Sequence, residues 1–110
     1  MSLLDAISTS LSGISAAQKQ LDAIASNIAN ANTPGYRVQR VEMVSLPTGG
    51  VEASIRTDNS SAPIDVAKES VNLVKAKSLY AANGMVIKTD NQMLGSLLDM
   101  FDRDHTDTNI

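Results

Sequence analysis

The sequence predicts a mainly α fold with a small β element: two long terminal helices, packed as a coiled-coil-like pair and joined by a short β-hairpin region. Three observations carry this expectation. Apolar residues recur every seven positions towards both ends of the 110-residue chain, a Pro-Gly turn halts the first helical stretch, and the interval after it is β-branched and alternating.

The first helix is read from Leu4 to Ile28. Leu4, Leu11, Gln18 and Ala25 fall seven apart, and so do Ile7, Ile14, Leu21 and Ile28. That is an a/d seam sustained over about four heptads, interrupted by the polar Gln18 and thinned at Ala25. Gln18 either sets the register or is a tolerated defect. The remaining positions are small or polar, and Gly13 with the serines lowers intrinsic helicity. Such a helix is marginal alone and firm only against a partner.

The helix is stopped in the run Asn30-Ala31-Asn32-Thr33-Pro34-Gly35-Tyr36. Pro34 fixes its own φ and pushes Thr33 out of the α region, and Gly35 accepts the positive φ of a type II turn. Nothing here is chemically reactive; it reads as an architectural joint. Asn27, Asn30 and Asn32 suit either hydrogen bonding between subunits or local capping of the helix end.

Residues 37–57 then change character. Val38, Val41, Val44 and Val51 are β-branched, Val51 to Arg56 alternates, and Pro47-Thr48-Gly49-Gly50 separates the two runs, which predicts a hairpin. Tyr36 and Val38 share one phase while Val41 and Met43 share the other, so a bulge is expected near Gln39–Arg40. Asp58 to Pro63 reads as a polar linker, and Asp65 as the N-cap of a second helix. Leu79-Tyr80, Val86-Ile87, Met93-Leu94 and Met100-Phe101 repeat every seven, which gives a helix of roughly 35 residues. Asn83-Gly84 is a soft spot within it, and an acidic tail from Asp102 to Ile110 follows. The chain thus divides into 1–36, 37–61 and 62–110. Tyr36 and Tyr80 either meet across the two terminal segments or fill local sites.

Composition excludes several function classes. With no cysteine there is no disulfide, thiolate metal site or cysteine nucleophile. A net charge of −3 without a basic cluster argues against nucleic-acid binding. No run approaches the roughly 18 apolar residues that span a bilayer, and the start Met1-Ser2-Leu3-Leu4-Asp5 has no Sec-type signal pattern. The one histidine, His105, sits in the acidic tail without the further ligands a metal needs. Gly49-Gly50 lacks the lysine of a phosphate loop. No enzyme activity, metal or cofactor is expected.

The string from Ile24 to Tyr36, containing Asn27, Asn30, Asn32, Thr33, Pro34, Gly35 and Tyr36, resembles the N-terminal signature of the bacterial flagellar rod and hook axial proteins. Ile64-Asp65-Val66, Val71-Asn72-Leu73-Val74, Leu79-Tyr80-Ala81-Ala82-Asn83, Val86-Ile87-Lys88-Thr89 and Met93 to Leu98 resemble the family's C-terminal segment. The resemblance covers about residues 1–40 and 62–101 and implies a short member without the large middle domain. Lys68-Glu69 stands where the family commonly has paired acids, a change of surface charge, and the tail beyond Met100 is an extension.

The resemblance implies a structural subunit of the flagellar rod or hook axis that self-assembles through its terminal helices, with the joint directing the β element outward. The expected contact residues are Leu4, Ile7, Leu11, Ile14, Leu21 and Ile28 with Tyr80, Ile87, Leu94 and Leu98. Its partners would be other copies of itself, other flagellar axial proteins and the flagellar export apparatus. Its location would be the basal body, reached by flagellar type III export without a cleaved signal. An adaptor or regulator of flagellar assembly, derived from an axial protein, is the alternative that the short middle region and acidic tail suggest.

Overall fold

The computed structural model describes residues 2–59 and 63–107, with side chains as far as Arg103. Helix α1 spans Leu3–Ala29. Ser2 opens it with a capping box: its Oγ accepts from the Asp5 N–H, and the Asp5 carboxylate accepts from the Ser2 N–H. Strands β1 (Gln39–Ser45) and β2 (Val51–Thr57) form one antiparallel hairpin, and helix α2 spans Val66–Asp107. The mainly α fold with a small β element is therefore the observed one.

The hairpin pairs from Gln39 opposite Thr57 to Ser45 opposite Val51 without interruption. The bulge expected near Gln39–Arg40 is absent for a simple reason. Val38 already bonds across in the same register, its carbonyl accepting from the Asp58 N–H at 2.7 Å, so the two phases lie on opposite faces of one regular ladder. Leu46 donates to the Gly50 carbonyl at 3.0 Å to close the loop, and Gly49 and Gly50 take φ of 95° and 93°.

Asp65 caps α2 as expected, its Oδ1 accepting from the Lys68 N–H and its carbonyl from the Glu69 N–H. The helix is longer than the sequence suggested, 42 residues, and carries the acidic stretch from Asp102 to Asp107 within it. It also runs unbroken through Asn83-Gly84. Asn83 Nδ2 donates to the Leu79 carbonyl one turn back, so its amide bonds within the helix and does not break it.

The two helices lie antiparallel. Gly13 faces Asn83, while Ala23 and Ile24 border the same cavity as Glu69 and Asn72. The row of α1 that this contact buries is not the large apolar one. Ser10, Gly13, Ala16, Ala17, Ala23, Ile24 and Asn27 are buried, whereas Leu4 and Leu11 are 70% and 53% exposed. Gln18 and Ala25, placed in the seam by the heptad reading, are exposed as well. The physical reason is crowding: α1 receives α2 and the hairpin together, and only small residues let two neighbours approach one helix closely.

The hairpin lies back along α1. Lys19 Nζ donates to the Ala53 carbonyl at 2.9 Å, and Ser12 Oγ accepts from the Val51 N–H at 3.1 Å. A Cβ built on Gly50 would stand 2.6 Å from Ser12 Oγ, so the loop tip reaches α1 only because this residue is glycine. The whole is a rod of 75 × 25 × 15 Å.

Candidate functional site

The joint is built around one side chain. Asn27 is 1% exposed and is the largest fully buried side chain among the described residues. Its Nδ2 donates to the Gln39 carbonyl at 2.9 Å, and its Oδ1 accepts from the Gln39 N–H at 2.8 Å. The amide thus pairs with a backbone as a neighbouring strand would, and it starts β1 in a fixed register. Oδ1 also accepts from the Tyr36 hydroxyl at 3.1 Å. Because that single phenolic proton goes to Asn27, Ser26 Oγ is the donor in its 2.8 Å contact with Tyr36 Oη.

The turn supports this cluster. Tyr36 N–H donates to the Thr33 carbonyl at 3.2 Å across Pro34 and Gly35, and Gly35 takes φ 76°, the type II geometry read from the sequence. Asn30 Nδ2 donates to the Ser26 carbonyl at 2.9 Å, and its Oδ1 accepts from Thr33 Oγ1 at 3.2 Å. Asn27 and Asn30 therefore bond within the chain, while Asn32 stands exposed with Thr33, Pro34 and Gly35. The Tyr36 hydroxyl serves the joint; Tyr80 lies 39% exposed on α2.

A second cluster ties the hairpin to α2. Arg40 lies between Asp58 at 3.7 Å and Glu69 at 3.6 Å, and Glu69 is 5% exposed. Glu69 is thus a buried ion-pair partner, which corrects its reading as a surface charge.

The expected packing residues divide into two groups. Ile7, Ile14, Leu21 and Ile28 on α1 and Ile87 and Leu94 on α2 are half-buried; Leu4, Leu11, Tyr80 and Leu98 are exposed. What the heptad reading passed over is the small row beside it. Ser10, Ala17 and Ile24 fall seven apart, as do Gly13, Gln20 and Asn27. That rhythm was present in the sequence, hidden because the residues are small or polar. Ser26 lay within the Ile24–Tyr36 string but was one serine among many there, and Gln39 gave no signal because it acts through its backbone.

The arrangement holds and presents surfaces; it offers no reactive constellation. Among the described residues no group of three or more His, Asp or Glu side chains is placed to hold a metal, and no helix is long and apolar enough to cross a membrane. The His105 side chain lies outside the described residues.

Residues 7–37 match the family model described as flagella basal body rod protein. The matched segment begins in α1 and ends just past the joint, so it contains Asn27, the Thr33-Pro34-Gly35 turn and Tyr36. The match covers 31 of the 110 residues, and over that segment the chain is similar to flagella basal body rod proteins. No curated protein matches the chain.

Proposed function

We propose that this chain, whose N-terminal segment carries the flagellar basal-body rod signature, is a structural subunit of the rod or hook axis and acts by self-assembly through its terminal helices. The observation that carries the proposal is that the end of the matched segment, from Ser26 to Tyr36, is clamped by side-chain hydrogen bonds to itself and to Gln39 just beyond it. Ser26, Asn27, Asn30, Thr33, Tyr36 and Gln39 form one hydrogen-bonded unit. A rigid joint of this kind fixes the hairpin on α1 and leaves large apolar residues on both helices facing solvent.

Leu4 and Leu11 on α1, and Val71, Val74, Leu79, Met85, Met93, Leu97, Leu98 and Met100 on α2, are each more than about two-fifths exposed. Lone exposed leucines need no explanation, but rows of them on paired helices suit burial against neighbouring subunits. The partners of this reading are other copies and other axial proteins, and its place is the basal body after flagellar export.

A deletion strain tests it, by swimming motility and electron microscopy of basal bodies. Loss of motility with truncated or missing rods is expected; normal basal bodies with full motility would overturn the reading. Sedimentation separates it from the adaptor alternative. Growth into higher oligomers with concentration is expected of a subunit, and a stable small dimer of an adaptor.

A further inference from the structure

One edge of the hairpin is left unpaired by its own chain. Asp58 N–H donates to the Val38 carbonyl and Leu46 N–H to the Gly50 carbonyl, so the even-numbered residues of β1 bond across to β2. The odd-numbered residues Gln39, Val41 and Met43 therefore turn their N–H and C=O groups away from β2. Asn27 meets the first of them, Gln39, with its amide donor and acceptor together. Among the described residues nothing meets the backbone groups of the next two, Val41 and Met43. The outer edge of β2 differs, because Ser12 and Lys19 of α1 hold it at Val51 and Ala53.

That edge borders a groove. Among the described residues no Cα of either strand comes within 8 Å of a Cα of α2, so β1 and α2 stand apart on α1. Arg40 bridges them at one end, its Nη1 3.6 Å from Glu69 Oε1. Two hollows of about 250 and 320 Å³ follow from there along α1, the first bordered by Val41 and Lys75, the second by Met43 and Leu79. Lys75 is exposed and has no acid at ion-pair distance among the described residues, while Met43 and Leu79 are apolar and 37% and 42% exposed. We infer that this groove takes an extended segment of a partner protein, which adds as a strand to β1 at Val41 and Met43 and sets an acidic side chain beside Lys75. A backbone in the β conformation supplies donors and acceptors at the spacing of the β1 rungs. The Asn27 amide already stands in for such a backbone at Gln39, and so marks where the incoming strand continues. The hollow beside Met43 and Leu79 receives an apolar side chain of that strand, and Lys75 favours acid over base. The contact is independent of the exposed apolar rows on the helices.

Titration of the full chain, at a concentration where it is monomeric, with the peptide acetyl-Thr-Val-Asp-Val-Asp-Val-Thr-amide tests it by amide NMR. Saturable shifts at the groove are expected with half-saturation below about 1 mM. Hydrogen exchange at the Val41 and Met43 N–H groups is expected to slow with them. Two versions of the peptide, N-methylated on alternate residues in one phase or the other, separate strand addition from attraction by charge alone. The phase that methylates the amides facing β1 is expected to bind at least about tenfold more weakly than its counterpart. Lys75 is exposed, so Lys75→Glu keeps the fold; it is expected to weaken the acidic peptide about tenfold and to accept the version with lysine for aspartate. The inference is overturned by an absence of saturable shifts up to about 1 mM, by equal binding of the two methylated phases, or by an unchanged affinity in Lys75→Glu. Protection of Val41 and Met43 in the chain alone as its concentration rises would assign the edge to a second copy and overturn the partner segment.

Discussion

Asn27 satisfies the N–H and the carbonyl of Gln39 together and takes the Tyr36 proton as well, with its own side chain buried. Asn27→Ala leaves three polar groups seeking partners, and an unsatisfied buried group costs about 1–3 kcal/mol. Thermal unfolding should show a loss of about 2–3 kcal/mol for this variant; an unchanged midpoint would mean the clamp adds nothing. Asn27→Asp keeps the acceptor but sets a carboxylate oxygen against the Gln39 carbonyl, so it should be destabilised too. Asp90 gives the opposite sign. It is 8% exposed, and its Oδ2 is buried without a hydrogen-bond partner. Asp90→Asn relieves a buried charge, so its unfolding midpoint should rise.

Within elements, glycine substitutions should separate by backbone conformation. Gly84 and Gly95 lie inside α2 with open space where a Cβ would go. Alanine at either position should raise stability by about 0.5–1 kcal/mol through helix propensity. Gly35 also has open space, but its φ of 76° suits glycine alone, so Gly35→Ala should lower stability by about 1 kcal/mol. Gly13 is a third case: a Cβ there would meet the Asn83 amide at 2.8–2.9 Å. The obstacle is the end of a flexible side chain. Gly13→Ala should therefore gain its helix propensity only when Asn83→Ala is present, a coupling that a double-mutant cycle measures.

For the whole molecule, length follows from α2. At about 1.5 Å per residue its 42 residues span about 63 Å, most of the 75 Å extent. A chain truncated after Met93 should lose less than about 1 kcal/mol, because α1 does not reach the turns removed. Its scattering profile should shorten accordingly. A large loss of stability would show that the last turns of α2 support the helix pair.

The sequence by itself determined the elements and most of their limits, the far end of α2 excepted: the helix stop, the type II turn, the hairpin loop and the Asp65 cap. Each is a local matter of φ, hydrogen-bonding partners and side-chain shape within a few residues. It also carried the family signature. What only the tertiary structure decided was which face of α1 is buried. The heptad of leucines and isoleucines was the stronger signal, yet the contact formed on Ser10, Gly13, Ala17 and Ala23. Periodicity weighs residues by hydrophobicity, whereas a helix that must hold α2 and a hairpin at once selects for small size. The use of Asn27 was likewise invisible, because its partner is the backbone of a residue twelve positions away. Only folding the hairpin back along α1 brings the two together.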